Sequence, residues 1–286
     1  FMKNFLPPYQ IETSFVDITD LEKVENAIKP NTKIIYCETV SNPLLEIADL
    51  RKLAEICKKH NLKLIVDNTF SPLSVSPIML GADVVIHSLT KFINGSSDTV
   101  GGVYCASQEF VDDTKNVNNG ACMLLGPTMD SFRSASILKN LRTLHIRMIK
   151  HSENAMFLAE RFENDGLKVK YPGLKSHKNH ELMKSMMHQE YGFGGLLTVD
   201  VGSVEKANEL MELMQTENLG YLAVSLGFYK TLFSCSGSST SSEIPEDERK
   251  KMGLSDGLIR FSIGLDHDIE RTYQKMRECM VKTGVL

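Results

Sequence analysis

Five side chains at or just beyond the ends of short apolar runs carry the chemistry this sequence offers. Glu38 closes "KIIYCE" and is followed by "TVSNP"; Asp67 closes "KLIVD" and is followed by Asn68; Ser88 closes "DVVIHS" and is followed by Thr90 and Lys91. If these runs are parallel strands, their carboxyl ends lie along one edge of a sheet, where open α/β folds place functional groups. An acid, small hydroxyls and a lysine then share a site. Pyridoxal phosphate chemistry needs that set. A lysine amine forms the Schiff base with the aldehyde, and a carboxylate keeps the pyridinium nitrogen protonated. Hydroxyl and backbone donors hold the phosphate. An arginine grips the substrate carboxylate with two hydrogen bonds.

Each residue alone has a plainer reading. A strand-end lysine is usually a solvated cap. Asp67-Asn68 after an apolar run is also ordinary turn chemistry. In "LIRFSIG" alternation puts Leu258, Arg260 and Ser262 on one face of a strand, and an arginine on an open face is commonly solvent-facing. Ser225 in "VSLG" is, by type, a polar residue leaving a strand. Their order and spacing together favour the chemical reading.

The elements that must position these groups are legible from periodicity. Residues 33–39, 63–69, 83–88 and 100–107 read as strands, and 47–60 as an amphipathic helix with Leu50, Leu53, Ala54 and Cys57 at helical spacing. Asp49 stands near that helix's start, where an acid is favourable. Residues 71–82 read as a loop with a short helical turn. Strands alternating with helices predict a parallel or mixed sheet covered by helices. From about residue 129 the texture changes to a long helical segment, closing at Asp165-Gly166 and forming one or two helices. Short strands follow at "LKVKYPG", "GGLLTVD" and "GLIRFSIG", with helices at "SVEKANELMELMQTE" and "DIERTYQKMRECMVKTG". This half reads as an α+β domain on a small, largely antiparallel sheet. The boundary is placed inside the long helical segment, giving domains 1–145 and 146–286. The one compositionally biased stretch is "SCSGSSTSSE", residues 234–243.

The chain's 286 residues suffice for a sizeable core, and a net charge of -4 argues against a nucleic-acid surface. The six cysteines are scattered, with no Cys-x-x-Cys pair, and read as reduced, mostly buried thiols of a cytoplasmic protein. No apolar run approaches the roughly 20 residues of a membrane helix, and no signal peptide is evident. His177, His180 and His188 lack a cysteine or carboxylate to complete a metal site, so no metal is expected. The chain opens "FMKNFLPPYQ" and enters the strand–helix pattern almost at once, as a fragment of something longer would.

The segments "VDNTF", "GADVVIHSLTKFINGSSD", "AVSLG" and "GLIRFSIGLD" resemble the transsulfuration (Cys/Met metabolism) family of pyridoxal-phosphate enzymes, from about residue 10 to the C-terminus. The resemblance implies an α/β fold of the aspartate aminotransferase type (fold type I). Its large domain has a mainly parallel sheet, and a smaller α+β domain follows. It implies Lys91 as the Schiff-base lysine, Asp67 as the pyridinium partner, and Ser88 and Thr90 as phosphate-side hydroxyls. It places Asn42 near the cofactor's 3-oxygen and gives the substrate carboxylate to Ser225 and Arg260. Pyridoxal 5'-phosphate is the implied cofactor, a sulfur amino acid the implied substrate, and a homodimer or homotetramer the implied assembly. Within the family, "GFGGLLTVD", the serine-rich stretch and "HELMKSMMHQEYG" look most like the plant-type methionine γ-lyases. Cystathionine γ-lyase, cystathionine γ-synthase and O-acylhomoserine sulfhydrylase share the machinery and stay open. Gly-Ser-Ser-Asp after Lys91 departs from the family's commoner Gly-His-x-Asp. Residues 1–32 show no counterpart of the family's N-terminal arm, its Ser-Gly-Met phosphate cradle or its ring-stacking aromatic. An N-terminally shortened, non-catalytic chain is therefore the reading from a different class.

Overall fold

The computed structural model describes residues 2–235 and 254–286. A short helix, α1 (Leu21–Asn26), precedes β1 (Ile34–Glu38), α2 (Leu50–His60), β2 (Lys63–Asp67), β3 (Val84–Ser88) and β4 (Gly102–Ala106). These strands form one sheet in the order β1-β2-β3-β4; β1, β2 and β3 run parallel and β4 runs antiparallel to β3. The register pairs Glu38 with Asp67, and Asp67 with Ile86, so the polar strand ends finish side by side.

The positioning of β1 and β2 begins with α2. Asp49 caps its N-terminus, its carboxylate accepting from the Lys52 N–H at 3.2 Å. Asn61 closes it in the left-handed region, and Lys58, Lys59 and His60 face the negative end of the helix dipole. Leu50, Leu53 and Cys57 fall on one face and are buried against the sheet. Burying each leucine contributes on the order of 2 kcal/mol.

Then come α3 (Gln108–Thr114), α4 (Ala121–Leu125), α5 (Ser131–Leu141) and α6 (Leu144–Asn164), so the long helical segment is two helices, broken at Arg142 and Thr143. The remaining elements are β5 (Lys168–Lys170), α7 (His180–Met186), β6 (Leu196–Asp200), α8 (Val204–Thr216), β7 (Tyr221–Leu222), β8 (Leu232–Cys235), β9 (Leu258–Ser262) and α9 (Ile269–Lys282). The second sheet has the order β5-β6-β9-β8-β7, antiparallel except for the parallel β7–β8 pair. Two apolar cores result. Helix α6 enters both, with Leu144 and Met148 in the first and Ala155, Leu158, Ala159 and Phe162 in the second.

Three expectations need correcting. Ser234 and Cys235 open the serine-rich stretch yet belong to β8, whose four residues are all buried. Residues 236–243 of that stretch lie outside the described residues. Cys105, in an apolar run that suggested burial, is exposed, because β4 closes an edge of its sheet. Helices α1, α3, α4 and α7 went unread: at five to seven residues they are too short to show a period. Among the described residues no helix is long and apolar enough to cross a membrane.

Leu53→Ala is expected to cost about 3 kcal/mol, the range for an emptied leucine site in a packed core. Urea unfolding followed by circular dichroism measures it. A loss below about 1 kcal/mol would mean that α2 does not pack on the sheet as described.

Candidate active site

The carboxyl ends of β1, β2 and β3 open into a cavity of about 220 Å³. Glu38, Asn42, Asp67, Thr69, Ser88, Lys91 and Arg260 supply its polar wall; Val40, Phe70, Val224 and Leu226 supply the apolar one. The two halves of the sequence thus meet in one site.

Asp67 is fixed from two sides. One carboxylate oxygen accepts from the Thr69 N–H at 2.9 Å, and the other accepts from the Tyr36 hydroxyl at 3.3 Å. Its neighbour Asn68 is buried and is a turn residue, as the plainer reading had it. Its carbonyl oxygen accepts from Thr39 and Ser71 at 2.8 Å, and its amide donates to the carbonyls of Ser71 and Val75. The Thr69 hydroxyl accepts from the Ser88 N–H at 2.8 Å, locking the end of β3 to that of β2.

Lys91 sits in a wide helical turn over Leu89–Ile93, and its own backbone breaks the helical pattern at φ -88° and ψ -130°. Its Nζ donates to the Ser225 Oγ at 3.0 Å. Half-buried, it has its pKa lowered, first by burial and then by the nearby Arg260 charge. A lysine in this state is a better nucleophile than a solvated one. The turn and the 224–227 loop touch closely: a Cβ on Gly227, whose φ is +74°, would meet the Phe92 nitrogen at 2.4 Å. Only glycine fits there.

Arg260 is not solvent-facing; it is 1% exposed. Nη1 donates to Asn42 Oδ1 at 3.0 Å, and Nη2 donates to the carbonyls of Val224 and Ser225, each at 3.1 Å. Its Nε is buried without a hydrogen-bond partner among the described residues. The Asn42 N–H in turn donates to Glu38 Oε2 at 3.1 Å. Glu38 is exposed by surface area, because the cleft opens beside it, yet its carboxyl group is surrounded by protein. That enclosure, with Asp67 alongside, pushes its pKa above the usual carboxylate range.

Of the residues singled out in the sequence, Asn42, Asp67, Ser88, Lys91 and Arg260 line the cavity, and Ser225 touches the lysine. Thr90 turns away: its hydroxyl exchanges hydrogen bonds with the backbone of Gly101. Glu38, one of the strand ends read from the sequence, also lines the cavity; Thr69 and Gly227 belong to the site and had not been assigned to it. Thr69 was signalled by its place after Asp67-Asn68; Gly227 had only the small-residue character of "VSLG". The three histidines are apart from the site and separately engaged. His177 accepts from the Asn179 N–H, His180 pairs with the Pro172 carbonyl, and His188 with Ser76. Among the described residues no group of three or more metal-ligating side chains is assembled.

An amine held in its reactive state, a fixed carboxylate and a spare guanidinium donor suit a carbonyl cofactor joined to Lys91 and a substrate bearing a carboxylate. The family model described as "Cys/Met metabolism PLP-dependent enzyme" matches residues 1–273. A methionine gamma-lyase of Arabidopsis thaliana is 43% identical over 284 residues, covering 98% of this chain and 64% of that protein. A cystathionine gamma-lyase of Bacillus subtilis is 42% identical over 260 residues, covering 90% of this chain and 66% of that protein. The crystal structure of cystathionine gamma-lyase from Lactobacillus plantarum complexed with L-serine superposes with a TM-score of 0.88 at 28% identity, covering 98% of this chain and 72% of that one. The chain thus spans just under two-thirds of the length of these two curated relatives.

Acylation of Lys91 by an amine reagent, followed by mass spectrometry across pH, is expected to show a midpoint below the ordinary lysine value of about 10.4. The sign follows from burial and Arg260 both disfavouring the cation. A midpoint at or above the ordinary value would place the amine in open solvent.

Proposed function

The chain belongs to the Cys/Met metabolism family of PLP-dependent enzymes, and on that premise we propose that it forms the chemical centre of a carbon–sulfur lyase whose substrate is methionine. The products are methanethiol, 2-oxobutanoate and ammonia. The observation that carries the reading is the meeting of Lys91, Asp67 and Arg260 in one cavity.

Bound there, pyridoxal 5'-phosphate supplies a carbonyl that condenses with amines and a protonated ring that takes up the electron pair released at the substrate Cα. The chain's own residues do the rest. Asp67, already oriented by Thr69 and Tyr36, keeps the ring nitrogen protonated. Ser88 serves the phosphate, a role that Thr90, committed to the Gly101 backbone, does not share, and Asn42 serves the 3-oxygen. Lys91 holds the cofactor at rest. Once the substrate amine takes its place, its Nζ would accept the proton from Cα, hand that proton on within the site, and then accept one from Cβ. Ser225, 3.0 Å away, keeps the amine directed into the cavity. Arg260 holds the substrate carboxylate, and its unpartnered Nε is a donor available for that purpose.

The choice of methionine rests on the apolar wall. Val40, Phe70, Val224 and Leu226 face the cavity and suit a methyl thioether. Cystathionine carries a second amino-acid head, whose charges need partners of their own. The charged groups lining the cavity are Glu38, Asp67, Lys91 and Arg260. A methionine gamma-lyase is among the sequence relatives, and the cystathionine lyases among them define the rival reading. Assembly into a homo-oligomer is supported by apolar side chains left in solvent on α4 and α5. Leu125 is 81% exposed and Phe132 88% exposed, more than isolated monomers usually tolerate together.

Incubation with pyridoxal 5'-phosphate, reduction with borohydride and peptide mapping are expected to place the adduct on Lys91. An adduct on another lysine, or none, would favour the non-catalytic reading. In the reconstituted enzyme Asp67→Asn is expected to retain the cofactor but to lose turnover at least about a hundredfold, or roughly 2.7 kcal/mol of barrier. Methionine is expected to give the larger kcat/KM. A preference for cystathionine would refute the substrate assignment while leaving the lyase reading in place.

A further inference from the structure

Helix α6 presents three polar side chains along one buried stripe, at positions i, i+4 and i+7: Arg147, His151 and Asn154. All three donate to backbone carbonyls. Arg147 Nη1 donates to the Phe92 carbonyl; Nη2 donates to the Ile93 carbonyl at 2.7 Å and to the Asn140 carbonyl at 3.1 Å. His151 Nδ1 donates to the Ile263 carbonyl at 2.6 Å. Asn154 donates to the carbonyls of Gly264 and Asp266 at 3.0 and 2.8 Å. Phe92 and Ile93 directly follow Lys91, and Ile263 and Gly264 lie just beyond the strand that carries Arg260. His151 also meets Phe92 edge-on, with ring centroids 5.1 Å apart.

The carbonyl accounting at the lysine turn shows why this matters. The Leu89 and Lys91 carbonyls are taken by the N–H groups of Asn94 and Gly95. The next two carbonyls have no helix beyond them to supply donors, and Arg147 supplies both. Arg147 is itself half-buried with no carboxylate within ion-pair distance among the described residues; its Nε is held by the Thr143 hydroxyl at 3.1 Å. A buried guanidinium costs free energy, and here the compensation comes from neutral oxygens, two of them the carbonyls of one short segment of chain and the others Asn140 and Thr143. We propose that Arg147 is a positioning residue for Lys91: its planar fork, seated on the Phe92 and Ile93 carbonyls, holds the turn in the one backbone setting that aims the lysine amine at Ser225. Through His151 and Asn154, the same helix face keeps that turn in register with the end of the Arg260 strand.

The inference takes its functional meaning from Lys91 as the reactive amine, but its test needs no cofactor. Lys91 labelling by acetic anhydride is followed by mass spectrometry from neutral to alkaline pH in the full chain, with exposed Lys52 and Lys184 as internal standards. The charged groups around the amine are Arg260 from β9, Asp67 from β2 and Glu38 from β1, with Arg147 beneath the turn. R147M and R147K are expected to shift the Lys91 midpoint upward, toward the standards, by about half a unit or more. R147K keeps the charge and loses the fork, so it separates geometry from electrostatics. T143V, at an exposed position, is expected to shift the midpoint in the same direction by less. If R147M does not fold, R147K and T143V decide. An unshifted Lys91 profile in folded R147K overturns the proposal, even where thermal stability falls. Failure of the chain to bind pyridoxal phosphate would count against the proposed function and leave this outcome readable.

Discussion

The structure turns on one buried charge. Arg260 lies in the interior, and no carboxylate among the described residues stands within ion-pair distance of it. A guanidinium in that setting must collect oxygens, because each unpaired donor carries the penalty of lost water. It collects three, from two separate places: Asn42 in the loop after β1, and two carbonyls of the 224–227 loop. The second of these loops carries Ser225, which meets Lys91. Arg260 thereby ties the parallel sheet, the small sheet and the lysine to one point. Since its acceptors are neutral, the cation remains uncompensated. An uncompensated cation in a low-dielectric pocket attracts an anion strongly and disfavours a second cation at Lys91.

Burial of polar groups elsewhere follows the same economy. The polar stripe of α6 forms no ion pair among the described residues; most of its donors go to carbonyls of the lysine turn and of the segment after β9. His151 illustrates the consequence. Burial holds its pKa well below the ordinary histidine range, to about 4, so it stays neutral near pH 7 and donates from Nδ1 alone. Its other ring nitrogen is left without a hydrogen bond. A helix that enters both apolar cores is stiff, and polar side chains projecting from it transmit that stiffness to the loops they hold.

How much of this was legible in the sequence depends on what kind of partner each residue has. Alternating apolar runs gave away β1, β2 and β3, and the parallel-strand rule placed Glu38, Asp67 and Ser88 together before any coordinates. The resemblance named Lys91, Ser225 and Arg260; Lys91 and Arg260 line one cavity, and Ser225 touches the lysine beside it. The orientation of Thr90 was not legible, because the partner that turns it is the backbone of Gly101. Arg147 was not legible for the same reason. A charged residue on an amphipathic helix reads as a solvated face, and backbone acceptors leave no mark in a sequence. Strand β8 was masked by its serines: Leu232 and Phe233 supply the apolar signal, but Ser234 breaks the alternation one residue before the strand ends.

The pocket's charges divide into fixed and adjustable ones. Two carboxyl groups end adjacent strands in register, Glu38 beside Asp67. Among the described residues Asp67 accepts two hydrogen bonds, one from a backbone N–H and one from a phenol. Glu38 accepts one, from the Asn42 N–H, and enclosure outweighs it, so its charged form is disfavoured. Of the two neighbouring acids, Glu38 is the one whose enclosure favours the neutral form, and Asp67 is the one fixed by two donors. On the positive side Arg260 is the fixed member and Lys91 the adjustable one, because only an ammonium loses its proton readily when burial and a like charge both oppose it. A site built this way holds an anion at one end and stabilises a cationic nitrogen at the other. Between them lies an amine that can give up and take back a proton without large cost, which is what removal and return of protons at carbon requires.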